Sequence, residues 1–215
     1  EHSLDPALCR DFLAALEPLK QAGKYDGLLA QFPWSFQRTP SNRQHLAALR
    51  DLLAGEPLFV EFRHDSWITP DLEPSLRKHR IGYCGVDEPA LRHLMPPTLL
   101  VTTEDAYVRF HGRNAANWWG RGSGDRYDHD YRPDELADWV IATQELLEAA
   151  GLAGADLVGL GPGGMLAAEV AAFSPALVKR LVLVAPFGLF DEREPVADLW
   201  ARRADPPAGA RTSGR

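Results

Sequence analysis

Apolar residues cluster in short runs at 28–32, 58–62, 81–86, 106–110, 156–160 and 181–185, and helical patterns separate most of them. After the first run, Leu46, Leu49 and Leu53 fall on one helical face, with Gly55 placed to end the helix. After the second, Thr69 followed by Pro70 is a start signal for a short polar helix. Leu136, Trp139, Val140 and Leu147 line one side of a longer helix, and residues 165–173 form another. Strands alternating with helices predict an α/β fold with a mostly parallel sheet and outer helices. No internal sequence repeat underlies the rhythm.

Side chains alternate across a strand, so each run also predicts which residues share a face. In "PLFVEFRHDSW", Leu58, Val60 and Phe62 take one side while Phe59, Glu61 and Arg63 take the other. The same arithmetic groups Leu29 with Gln31, Tyr83 with Gly85 and Asp87, and Tyr107 with Arg109 and His111. Successive strands thus finish in polar groups at their C-terminal ends, where parallel α/β folds gather ligands. Two arginines suit capture of a carboxylate or phosphate, His111 can move a proton near neutral pH, and Glu61 or Asp87 can orient it or act as base. A buried network in which Glu61 and Asp87 neutralise Arg63 and Arg109 is the structural alternative. A metal held by Glu61, Asp87 and His111 is disfavoured by the nearby guanidinium groups, and no metal or cofactor is assigned.

Composition narrows the remaining choices. With 215 residues, 45% of them hydrophobic and 25% charged, the chain can bury one large core or two small ones. A formal net charge of −7 argues against nucleic acid and anionic membranes as partners. The two cysteines, Cys9 and Cys84, show no disulfide or zinc spacing, which makes the cytoplasm the expected compartment. The least polar stretch, 157–168, is too short to cross a bilayer, and no signal-peptide pattern opens the chain. The absence of an initial methionine points to a processed or excised product. Residues 113–132 predict a long loop that is either functional or mobile, and 204–215 a disordered tail. His45 and His79 sit among polar helical residues, while His2, His93 and His129 fall in terminal or loop contexts that read as solvated surface.

From about residue 12 to 131, the motifs "LLAQFPWSF", "VEFRHDSW", "GVDEP", "YVRFHGRN" and "RYDHDY" resemble the YecE-like family, domain of unknown function 72. The resemblance implies part of a TIM-type barrel and a pocket at Gln31, Glu61, Arg63, His64, Asp87, Arg109, His111 and Arg113. It implies no particular reaction. It also implies strands before Glu1 and an asparagine-rich strand after Tyr131, neither of which is found.

From about residue 135 to 189, "ADLVGLGPGGMLAAEVAAFSPALVKRLVLVAPFGL" resembles the α/β-hydrolase family across its nucleophile strand, elbow, helix and next strand. There the serine of G-x-S-x-G falls at Gly161, and the following residue is Pro162, which has no N–H for an oxyanion hole. The segment is therefore expected to be inactive in ester chemistry. Gly159, Gly161 and Gly164 also fit a dinucleotide fingerprint, but no acidic residue ends the next strand to hold a ribose. A tight turn packed with small residues is the preferred account.

These readings divide the chain into a barrel segment at 1–132, a hydrolase-like unit at 133–203 and a tail. They predict either one partial barrel or an open sheet shared by both segments, with exposed strand edges that invite self-association. The leading functional expectation is an acid/base enzyme acting on a small anionic ligand. A non-catalytic mosaic and a dinucleotide binder are the alternatives.

Overall fold

A computed structural model describes residues 4–120, 127–149 and 154–184. Its helices are α1 (Pro6–Gln21), α2 (Pro40–Leu52), α3 (Leu72–Lys78), α4 (Pro133–Ala149) and α5 (Pro162–Phe173). Its strands are β1 (Leu28–Gln31), β2 (Leu58–Glu61), β3 (Ile81–Asp87), β4 (Tyr107–Phe110), β5 (Ala155–Leu160) and β6 (Val178–Val184). β1 to β4 form a parallel sheet in sequential order, with Gln31 opposite Glu61 and Asp87 opposite Phe110. The expected α/β architecture is present as a curled half-barrel with helices. The predicted tail at 204–215 lies outside the described residues.

The core lies between this sheet and its helices. Val60 and Phe62 of the β2 segment pack with Ile81, Tyr83, Leu46, Leu72 and Leu76. Phe32 stacks on Phe36 at 4.0 Å and Phe62 on Trp67 at 4.1 Å. Offset aromatic pairs add specific geometry to the large apolar area they bury. The Trp67 indole N–H donates to the Phe36 carbonyl at 2.7 Å, so its polar atom is buried without penalty.

Two helices depart from the sequence reading. α1 was not anticipated, although its signal was present: Asp5 accepts the Ala7 N–H at 2.8 Å and Pro6 opens the first turn. α3 begins at Leu72, beyond the Thr69–Pro70 signal, because Asp65–Trp67 first makes a 3₁₀ turn capped by His64.

β5 and β6 pair in parallel with each other and belong to a separate sheet, so the expectation of one shared sheet is corrected. α5 covers one face of this pair. On the other face Asp156 pairs with Arg180, and Val158, Leu160, Val182 and Val184 are exposed. At the turn into α5, Gly161 has φ 56° and ψ −122°, a conformation that an L side chain rarely adopts. A Cβ on Gly159 would lie 2.4 Å from the Gly163 carbonyl oxygen and 2.6 Å from the Gly164 Cα. Close strand–helix packing therefore accounts for these small residues. No helix among the described residues is long and apolar enough to cross a membrane.

Candidate functional site

Glu61 ends β2 with its side chain fully buried. Its Oε1 accepts from Arg63 Nη1 at 2.9 Å and faces His111 Nε2 at 3.0 Å. Its Oε2 accepts from Arg109 Nη1 at 2.7 Å, and the same Arg109 nitrogen donates to Gln31 Oε1 at 2.9 Å. Gln31, Glu61, Arg63, Arg109 and His111 thus form one continuous network at the C-terminal ends of β1, β2 and β4, as alternation predicted.

Asp87 stands apart, which corrects its placement in this cluster. Registry sets Cys84 opposite Tyr107 and Asp87 opposite Phe110. Cys84 consequently shares the Glu61 face, with its Sγ 3.9 Å from Glu61 Oε2. Asp87 projects toward α4, where Trp139 Nε1 donates to it at 2.7 Å. Arg113 Nε at 2.8 Å, Arg113 Nη2 at 2.5 Å and the Tyr131 hydroxyl at 2.6 Å fill its remaining positions. This carboxylate ties β3 to the long loop and to α4. Arg113 belongs to that anchor rather than to the Glu61 network. Alternation alone lets Tyr83, Gly85 and Asp87 continue the face of Glu61, whereas β2 and β3 are in register with Val60 opposite Tyr83. An offset between neighbouring strands is invisible to periodicity within either strand.

His64 is also separated from the network. It is buried against Trp34, whose ring centroid is 5.3 Å away, and it stacks in parallel on His93 at 5.4 Å.

One residue of the site escaped the sequence reading. Glu88 is buried, accepts the Met95 N–H through Oε1 at 2.8 Å, and places Oε2 3.2 Å from Arg63 Nη2. The latter contact has ion-pair distance without hydrogen-bond geometry, leaving Oε2 without a hydrogen-bonded partner. Its signal was the acidic pair in "GVDEP": once Asp87 turns toward the helices, alternation turns Glu88 back. Trp118, in the long loop, is buried and stacks over the Arg63 guanidinium at 5.6 Å.

Electrostatics separates the two glutamates, keeping one ionised and moving the other toward neutrality. Burial would raise Glu61, but the hydrogen bonds and charges of His111 and Arg109 outweigh it and hold the carboxyl at about 2. Glu88 is pushed up to about 7, chiefly by burial, and the Arg63 charge only partly offsets that. His111 is lowered, first by burial and then by the Arg63 and Arg109 charges against the opposing pull of Glu61. The imidazole is therefore neutral near pH 7, and its hydrogen bond to Glu61 acts together with Arg109 in keeping that carboxylate ionised. The neutral ring donates Nε2–H to Glu61, an assignment made from the hydrogen-bond partner, which leaves Nδ1 as the basic nitrogen. Burial drives the Cys84 thiol upward and keeps it protonated.

With Glu88 protonated, one carboxylate faces two guanidinium groups, and the cluster carries an excess positive charge suited to an anion. An open groove of about 460 Å³ lies elsewhere, between α2 and α3 on the helix side, and is lined by Arg43, Leu46 and Leu76. Its lining contains none of the groups able to exchange protons at the strand ends. The strand-end cluster is therefore the better candidate for chemistry.

A parallel βα half-barrel with ionisable groups converging at its strand ends defines a class of barrel-type α/β proteins. The chain belongs to the family described as "Protein of unknown function DUF72", whose model matches residues 2–159. That match runs through α4 and into β5, beyond the junction expected near Pro133. The chain is 31% identical over 146 residues to the UPF0759 protein YunF of Bacillus subtilis (strain 168), covering 63% of this chain and 52% of that protein. It thus spans about half the length of this curated relative. A DUF72 family protein from Thermotoga maritima MSB8 superposes with a TM-score of 0.62 at 31% identity, over 82% of this chain and 56% of the other. A DUF72 family protein from Enterococcus faecalis V583 gives a TM-score of 0.59 at 21% identity, over 85% and 60% respectively, and likewise supports the fold.

Proposed function

We propose that the strand-end cluster performs acid/base chemistry on a small ligand bearing a phosphate or carboxylate. The observation that carries this reading is the convergence of Arg63, Arg109 and His111 on buried Glu61, with buried Glu88 beside Arg63. In this reading Arg109, one-third exposed, receives the anion. Trp118 shields Arg63 and strengthens its field by keeping water from it. Glu61 holds the imidazole in one tautomer, His111 Nδ1 accepts a proton from the substrate, and the Glu88 carboxyl returns one. Glu88 takes the second acid/base role first expected of Asp87.

Titration calorimetry with inorganic phosphate and a panel of sugar phosphates and small dicarboxylates tests the reading. Saturable binding that is lost in Arg109→Ala supports it. Absence of binding across the panel, or binding unchanged in that variant, rejects it.

A second reading draws on the turn at Gly161. Its φ and ψ make a sharp strand-to-helix corner compatible with a nucleophile elbow, in which glycine would stand at the serine position with Pro162 after it. In this reading residues 155–184 form a hydrolase-like unit retained as a scaffold. Among the described residues β5 and β6 pair only with each other and expose an apolar face, which favours self-association that sedimentation over a concentration series would detect. Failure of Gly161→Ser to react with a serine-directed fluorophosphonate is the expected result for such a scaffold, and rapid labelling would overturn it.

A further inference from the structure

Three donor-bearing side chains outside the Glu61 network lie together at the mouth of the half-barrel. His64, Asp65 and His93 each offer one ligand atom, and those atoms lie within 4.8 Å of one another. His64 Nδ1 is 3.2 Å from Asp65 Oδ1, and His93 Nδ1 is 3.4 Å from Asp65 Oδ2. A tetrahedron built on zinc–nitrogen and zinc–oxygen bonds of about 2.0 Å has an edge of about 3.3 Å, close to the His64–Asp65 separation, while His93 faces the other oxygen of the same carboxylate.

We propose that His64, Asp65 and His93 form a binding site for a divalent transition-metal ion, with zinc-type preference. Two imidazoles and one carboxylate are borderline donors, suited to Zn²⁺ or Co²⁺ and poorly suited to Mg²⁺ or Ca²⁺. The three ligands leave a fourth position open to water or an exogenous anion.

The surrounding structure holds the donors in place. The His93 carbonyl accepts from the Asp65 N–H at 3.3 Å and from Trp34 Nε1 at 3.2 Å, which fixes the 93 loop against the 3₁₀ turn. His93 adopts φ 65° at this point, a conformation uncommon for a residue with a side chain. His64 packs against the Trp34 and His93 rings. Its Nδ1 accepts the Ser66 N–H at 3.1 Å, so that nitrogen already presents the lone pair a metal needs. Metal binding would redirect this lone pair from Ser66 to the ion. The half-exposed His93 ring would turn out of its parallel stack on His64 to aim its in-plane lone pair at the shared ion. His64 is buried, while the side chains of His93 and Asp65 are 44% and 42% exposed, leaving an entry route from solvent.

This site differs from the metal trio considered from sequence, because Glu61, Asp87 and His111 do not converge. It was missed because His93 lies almost thirty residues from His64 and only folding brings their rings together. Its metal-binding test does not depend on the proposed acid/base reaction.

Titrating the metal-free full chain with Co²⁺ and Zn²⁺ tests the proposal. The expected results are one zinc per chain, a metal-dependent rise in Tm, and the visible d–d absorption of low-coordinate cobalt. Asp65→Asn and His93→Gln, which keep side-chain volume similar, should each weaken zinc by more than about tenfold, while His111→Gln should leave affinity unchanged. No cobalt spectrum together with no zinc binding would overturn the proposal. Equal binding by His93→Gln and the unaltered chain would place the ion elsewhere and would overturn it as well.

Discussion

β3 and β6 are both seven-residue parallel strands, yet every residue of β3 is buried and no residue of β6 is. Composition ranks them the other way: β3 reads IGYCGVD with a terminal aspartate, whereas β6 reads VKRLVLV with five aliphatic residues. The difference is one of neighbours. β3 has strands on both edges and helices against one face, while β6 has β5 on one edge and α5 on one side. An apolar strand buries surface only when other elements meet its faces, and the hydrophobic contribution follows the area removed from water.

The sharpest break in this comparison comes from charge deletion. Glu61→Ala should cost about 3–5 kcal/mol by leaving Arg63 and Arg109 without their buried counter-charge, measured by urea denaturation. Asp156→Ala, which removes the exposed partner of Arg180 in the other sheet, should leave the same midpoint unchanged.

A smaller effect separates the sheets by pH. An unfolded chain releases the Glu88 proton near 4.5, but the folded chain holds it to about 7. The folded state therefore binds more protons across that window, and stability contributed at low pH is lost as pH rises through it. The full difference corresponds to about 3 kcal/mol, an order-of-magnitude value for a buried group beside Arg63. Glu88→Gln should flatten this decline in calorimetric Tm between pH 5 and 8. His111, whose folded value is lowered, contributes with the opposite sign, so the difference between the two proteins isolates Glu88.

Next in size is the turn at Gly161. Gly161→Ala should cost about 1–3 kcal/mol through its positive φ. Hydrogen exchange should quicken in β5 and α5 while β1 to β4 keep their protection. The smallest effect is expected at Val182, which is 49% exposed. Val182→Thr should leave the denaturation midpoint nearly unchanged, and any self-association through that face should weaken in sedimentation.

The sheet-forming segments were largely legible because alternation in "PLFVEFRHDSW" and "AYVRFHGRN" survives intact in the fold. The same alternation found Gln31, Glu61, Arg63, Arg109 and His111. It failed at Asp87 and Glu88, where the relative offset of β2, β3 and β4 decides which carboxylate faces inward. α1 was legible only through its Asp5–Pro6 cap, since its exposed Leu8, Phe12 and Leu19 give little sign of a buried face. The separation of β5 and β6 from the larger sheet was beyond strand-by-strand periodicity, because nothing in a strand's own pattern names its edge partner.

The anchoring of Arg113, Tyr131 and Trp139 on Asp87 has an engineering consequence. It makes the connection between Arg113 and Tyr131 an exchangeable cassette whose two ends plug into one socket on β3. A graft that preserves Arg113 and Tyr131 would re-line the roof over Arg63 while keeping the strand seated. A graft that drops either anchor would unseat the loop before any change in ligand preference could be read.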